Sequence, residues 1–194
     1  MKYIFIILFS LLSYSGFSQG LFALTYDMSV PLGETSDYIG KTSFRGFGME
    51  GKSFISNNVA LGGSFAWQTF YESEGVQTIT EGTTTVTGTP YKYINSFPFL
   101  VTGNYFLNNE DEVRAYFGGG LGMYHIIQRT DMGLYSVEDK NWHFGLAPEV
   151  GIIVPVGYST SYFLVNLKYN YAFKANDSVN HSYLGINVGF AFGS

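Results

Sequence analysis

Chemistry in a protein needs groups that take up protons, attack, or hold a metal, and this chain has few in useful patterns. It has three histidines, His125, His143 and His181, and no cysteine. The histidines do not fall at ligand spacing, so no metal is expected. His181 is followed at once by Ser182. Neighbours on a strand point to opposite faces, so the same-face pairing of nucleophile and base is absent. Glu72, Glu74, Glu81 and Asp131 are acidic residues of loop-like segments, where solvation is their ordinary role. The glycines of "GGGLG" are no phosphate loop, because neither a strand-to-helix context nor GK[ST] accompanies them. They are expected to leave room for long neighbours such as Arg114 and Tyr124. No catalytic residue, no cofactor and no enzyme activity are expected.

Six charged residues stand out because they fall on strand faces that otherwise carry small and polar side chains. These are Asp27, Glu50, Lys52, Arg114, Glu149 and Lys168. A charge confined in an interior is costly unless paired, so these six are expected to pair as a network. If the turn in "GYST" is centred between Tyr158 and Ser159, Glu149 lies directly across from Lys168. A two-residue turn at Asn57-Asn58 would set Glu50 against Phe65 on opposite faces, so a three-residue turn or a bulge is expected there.

The elements that position these charges follow from alternation. In "VALGGSFAWQTFY", Val59, Leu61, Phe65, Trp67 and Tyr71 share one face, opposite Ala60, Gly62, Ser64, Ala66 and Gln68. "YFLVNLKYNYAF" sets Phe163, Val165, Leu167, Tyr169, Tyr171 and Phe173 against Asn166, Lys168 and Asn170. Period two over such lengths is a strand signal. Segments of this kind recur at 21–31, 42–55, 59–71, 91–106, 113–129, 141–155, 162–174 and 182–192. Short connections at "SNN", "LNNEDE" and "VGYSTS" alternate with longer ones at 32–41, 72–90 and 130–140 and a moderate one at "KANDSVN". Short turns at one end and long loops at the other mark a transmembrane barrel. The expected fold is all-β: an eight-stranded antiparallel up-and-down barrel, with both termini periplasmic. Such a barrel is wide enough only for its own side chains or one small ligand, so the inner charges read as a static plug ahead of a gate.

Composition agrees. Aromatics reach 19% while charged residues are 13%, against about 25% in typical proteins. The net charge of −5 and the lack of a basic cluster argue against nucleic acid. Aromatics near strand ends, such as Tyr71, Tyr105, Trp142, Phe163 and Phe173, suit interfacial girdles. Lys2, the apolar run "YIFIILFSLL" and the small residues Gly16 and Ser18 read as a signal peptide over 1–18, cleaved before Gln19. Residues 19–194 are then a single barrel domain, exported to the bacterial outer membrane. No domain suited to cell-wall anchoring is expected after it.

"VQTITEGTTTVTG" stands apart. Val76, Thr78, Thr80, Thr84 and Val86 favour extended backbone, and Glu81-Gly82 suggests a hairpin tip. Its arms are expected to continue the third and fourth strands beyond the bilayer. A protruding pair with exposed edges can accept a partner strand, so adhesion is one meaning and a polar shield the other.

The whole mature chain resembles the small eight-stranded outer-membrane barrels of Gram-negative bacteria, the OmpA-barrel, OmpX and OmpW-like group. Its last strand, with Leu184, Ile186, Val188, Phe190 and Phe192, is similar to the signal such proteins present to the barrel assembly machinery; Gly193 and Ser194 follow it. The resemblance implies a monomer in outer-membrane lipid with a structural or surface-interaction role, adhesin-like, toward an extracellular protein or surface. The alternative is a narrow channel or carrier for small or hydrophobic solutes. Ile94 and Ile126 are the inward apolar residues near the outer rim that would favour it. A third class, the lipid-modifying barrels, requires the same-face histidine and serine missing here.

Overall fold

Extended segments form wherever apolar and small residues alternate. The strands are β1 (Gly20–Leu32), β2 (Gly46–Phe54), β3 (Val59–Ser73), β4 (Gln77–Glu81), β5 (Thr84–Gly88), β6 (Tyr91–Phe106), β7 (Arg114–Met132), β8 (Tyr135–Pro155), β9 (Ser161–Ala172) and β10 (His181–Gly193). One short helix, α1 (Glu34–Tyr38), interrupts them. The structure, a computed structural model, describes residues 20–81, 84–107, 113–157, 160–175 and 178–193. The expected leader 1–18, the hairpin-tip residue Gly82, the turn centre at 158–159, most of "LNNEDE", 176–177 and Ser194 lie outside the described residues.

Eight strands close an antiparallel meander in the order β1-β2-β3-β6-β7-β8-β9-β10, and β10 returns to β1. The closing ladder runs from Leu21 opposite Gly193 to Leu32 opposite Ser182. Closure leaves the eight-stranded sheet without an edge, the condition that lets strands cross lipid. The outer face is apolar, with Leu24, Met49, Val101, Leu121, Val150 and Leu167 exposed at mid-height. Aromatic rings flank this band. On the loop side Trp67, Phe97, His125 and Trp142 form a continuous chain across β3, β6, β7 and β8, with successive centroid separations of 6.0, 6.2 and 4.7 Å. On the turn side Phe22, Tyr105, Phe117, Phe190 and Phe192 are exposed. His125 is thus a member of a girdle.

The register carries the charges as parity requires. Glu149 stands opposite Lys168. Glu50 stands opposite Ser64, because residues 56–58 form a three-residue turn closed by Ile55 N donating to Val59 O at 2.9 Å. Three loop expectations are corrected. First, 130–140 is not a loop: β7 and β8 run on as a ribbon to Met132 opposite Tyr135, and only Gly133 and Leu134 turn. Gly133 has φ 61°, a left-handed conformation that glycine tolerates. Second, β4 and β5 form a separate two-stranded sheet and do not continue β3 and β6. Gly75 on one arm and Pro90 on the other interrupt the ladders, where Glu74 N donates to Pro90 O at 3.1 Å. Third, residues 42–45 fall outside the regular second strand: Ser43 pairs with Ser29 as an isolated bridge, one residue out of the β1–β2 register.

Candidate functional site

The inward side chains fill the lumen in three layers. At the turn end, Leu21, Ala60, Phe106, Tyr116, Ile153 and Leu164 form an apolar cluster. Gly151 makes room for this layer, since a Cβ there would meet the Tyr116 ring at 2.6 Å. Arg114 belongs to this layer and not to the central ion network. Its guanidinium lies 5.2 Å from the Phe54 ring centre and 4.9 Å from that of Phe106, and Nη2 donates to Asn57 O at 2.7 Å.

The middle layer holds the charges. Lys52 Nζ lies 3.2 Å from Glu50 Oε2 and 3.4 Å from Glu149 Oε1. Lys168 Nζ lies 2.9 Å from Glu149 Oε2. Asn104 Nδ2 donates to Glu149 Oε1 at 2.6 Å, which gives that carboxylate three partners. Asn187 donates to Asn166 at 2.7 Å, and Asn166 donates to the Tyr116 hydroxyl at 3.0 Å. Asp27 is buried on the same level but joins no ion pair among the described residues. The glycines of "GGGLG" seat other neighbours than expected. A Cβ at Gly118 would strike Asn104 Nδ2 at 2.6 Å, and one at Gly120 would press on Leu100 at 3.0 Å. Tyr124 is accommodated by Gly145, whose Cβ would meet the Tyr124 ring at 2.6 Å.

The loop-end layer is apolar again: Phe70, Ile94, Leu100, Tyr124, Ile126 and Tyr183. Ile39, from the loop after β1, inserts among them and is 0% exposed. Ile94 and Ile126 are therefore covered core residues and not an open apolar lining. Loop 33–45 is fastened on several sides. Gly40 N donates to Glu72 Oε2 at 2.8 Å, Ser182 N to Thr35 Oγ1 at 2.9 Å and Asn180 N to Glu34 Oε2 at 2.6 Å. Tyr38 hydrogen-bonds Thr130, and Lys92 lies 5.1 Å from the Tyr38 ring centre. Alternation missed this loop, since adjacent Tyr38 and Ile39 are the sole apolar signal in the polar run "GETSDYIG".

The structure also brings together two histidines that sequence spacing kept apart. His143 and His181 are buried at the loop end of the lumen with ring centres 5.2 Å apart. His143 Nδ1 donates to Phe173 O at 2.9 Å. Parity placed His143 inward near the outer rim and His181 only at the start of the last strand, and it did not show their neighbourhood across β9. Among the described residues no group of three or more His, Cys, Asp or Glu could hold a metal ion.

Outside the mouth stand two ribbons. In the β4–β5 sheet, Thr78 and Thr87 hydrogen-bond at 2.9 Å, and Val76 just before it is 74% exposed. The β7–β8 ribbon rises beyond β9, whose pairing with β8 begins at Gly145 opposite Ala172. Residues 135–140 therefore have β7 on one side and no strand on the other among the described residues. Val137 on this edge is 72% exposed.

No protein-family model and no curated protein matches the chain. Solved structures do. Ail, the attachment invasion locus protein of Yersinia pestis, matches with TM-score 0.54 and 16% identity over 90% of this chain and 99% of its own. Neisserial surface protein A matches with TM-score 0.55 and 14% identity over 90% and 96%. The outer membrane protein OprG of Pseudomonas aeruginosa matches with TM-score 0.53 and 12% identity over 91% and 96%. The chain has the fold of the small eight-stranded outer-membrane β-barrels.

Proposed function

We propose that this barrel acts in the bacterial outer membrane without enzymatic activity, as a structural or adhesin-like surface protein working through its loops. The observation that carries this is the filled lumen. Two apolar layers enclose a buried ion network, and loop 33–45 caps the upper layer with Ile39. A route for solutes through such a core would require desolvated charges and tightly packed rings to move aside. The exposed features lie outside, on the β4–β5 hairpin and on the β7–β8 edge at residues 135–140. An exposed strand edge offers backbone groups to an incoming strand. Glu138 and Lys140 pair at 2.5 Å on that edge, and such charges restrain indiscriminate pairing.

The test replaces residues 76–88 with a Gly-Asn turn and measures attachment of cells carrying the barrel to host-cell and matrix-coated surfaces. Attachment is expected to fall by about tenfold or more, the equivalent of about 1.4 kcal/mol. Unchanged attachment would overturn the assignment to the hairpin.

A carrier for hydrophobic solutes is the second reading, and one observation favours it. The β3–β6 ladder skips the Ala66–Pro98 and Trp67–Phe97 positions, and the β8–β9 ladder skips Ala147–Asn170 and Pro148–Tyr169. A proline cannot donate to a ladder, so each gap is a weak seam in the wall. Uptake of an alkane or fatty-acid probe by vesicles containing the barrel, abolished when a disulfide bridges either seam, would favour the carrier.

A further inference from the structure

The middle layer of the lumen holds more acidic than basic side chains. Ionised, Asp27, Glu50 and Glu149 would carry three negative charges there, against the two positive charges of Lys52 and Lys168. Arg114 does not restore the balance. It stands opposite Ile153, four residues down β8 from Glu149 or about 13 Å along the strand, and its guanidinium sits among phenylalanine rings. The two lysines are both engaged with Glu149, and Lys52 also with Glu50. Asp27 is the acid without an ion-pair partner among the described residues, and it is only 5% exposed. Buried charges are paired or neutralised by an ion or a proton.

Independent polar groups converge on the same place. Asp27 Oδ1, Glu50 Oε1 and both amide atoms of Gln68 lack hydrogen-bond partners. Gln68 is 2% exposed. All three side chains line one cavity of about 40 Å³ in the lumen, beside Thr25 and Lys168. That volume exceeds the roughly 10–15 Å³ a single water needs. β2 is shaped for this cluster. A Cβ at Gly46 would lie 2.1 Å from Gln68 Oε1 and 2.9 Å from Asp27 Cβ, and one at Gly48 would lie 2.7 Å from Asp27 Oδ2. Side chains at either glycine would fill the space these oxygens occupy.

We propose that this cavity is a binding site for a single monovalent cation of the sodium or potassium class, held by Asp27, Glu50 and Gln68 through oxygen. One positive charge cancels the surplus, whereas a divalent ion would reverse it. Carboxylate and amide oxygens are hard donors, suited to hard cations. The apolar layers above and below keep the site from bulk water, so the ion enters as the barrel folds and exchanges slowly. This site stands whether or not the outer ribbons bind a partner.

The barrel refolded and crystallised in thallium(I), a heavy stand-in for potassium, provides the test. An anomalous peak bounded by Asp27, Glu50 and Gln68 is expected in the wild type and absent in Asp27→Asn. No peak in the wild type would overturn the proposal, and would favour a proton on Asp27. A peak that persists in Asp27→Asn would overturn it as well. Thermal unfolding needs no variant. At equal ionic strength the wild type is expected to melt about 2–4 °C higher after refolding in sodium or potassium than in N-methylglucammonium, which is too large for the cavity. Equal melting temperatures would contradict the site. Gln68→Leu is expected to shrink that shift, and an undiminished shift would remove Gln68 from the ligand set.

Discussion

Lys52 stands between two carboxylates, and one of them, Glu149, is shared with Lys168 and Asn104. Removing one member of such a buried network leaves a charge without its partner, at a cost of about 3–5 kcal/mol. Glu149→Gln and Lys168→Met are each expected to lower the urea midpoint of the barrel. The double variant should cost less than the sum of the two. A double-mutant cycle in urea checks this, and strict additivity would mean the pair is uncoupled. Space is as strict as charge. Gly151→Ala would set a methyl group 2.6 Å from the Tyr116 ring and 2.7 Å from Asn166 Cβ, and should cost about 1–3 kcal/mol. Gly51→Ala meets nothing within 4 Å and should be neutral in the same urea measurement. In the loops, the hydrogen bond from Lys92 holds the Glu74 carboxyl below its ordinary value of 4.5. A depressed carboxyl stabilises above its unfolded value and ceases to do so as pH falls through its folded one. Amide protection near Glu74, measured relative to the intrinsic exchange rate at each pH, should therefore fall as pH drops below the ordinary value of 4.5, and should not do so in Glu74→Gln. At this scale parity revealed which charges face inward and the pairing of Glu149 with Lys168. It could not show that Asp27 lacks an ion-pair partner or that Arg114 belongs to another layer. Those facts depend on the stagger between strands that are not neighbours in sequence.

The strands were legible because lipid outside and a narrow lumen inside impose period two on every membrane-crossing segment. β6 begins and ends at the expected residues, 91 and 106. Legibility fails where that double constraint ends. Above the bilayer β7 and β8 meet water on both faces, so "SVEDKN" shows no apolar alternation and resembles a loop. α1 is equally silent, since five residues between Gly33 and Gly40 are too few for helical periodicity. Its consequence is large, because Ile39 behind it packs into the loop-end cluster of the lumen. Ile39→Asp would put a charge among Phe70, Ile94, Tyr124, Ile126 and Tyr183. Loop 33–45 is then expected to lift while the barrel stays closed. Hydrogen exchange should rise in that loop and remain low in the strands. Unchanged exchange in 33–45 would mean that its hydrogen bonds to Glu72, Thr35 and Glu34 hold the loop without the isoleucine.

At the scale of the molecule, eight strands set a diameter that side chains can fill, and this chain fills it with two apolar layers around a charged one. The outer surface is divided in the same way, with an apolar band between aromatic rings and polar ribbons above it. Function on the outside and a plugged inside are two sides of one account, and conductance tests it most directly. Folded wild-type barrel in a planar bilayer is expected to leave the bilayer silent. Steady single-channel current altered by Glu149→Gln or Lys168→Met would contradict the account, because the inner charges would then line a path for ions.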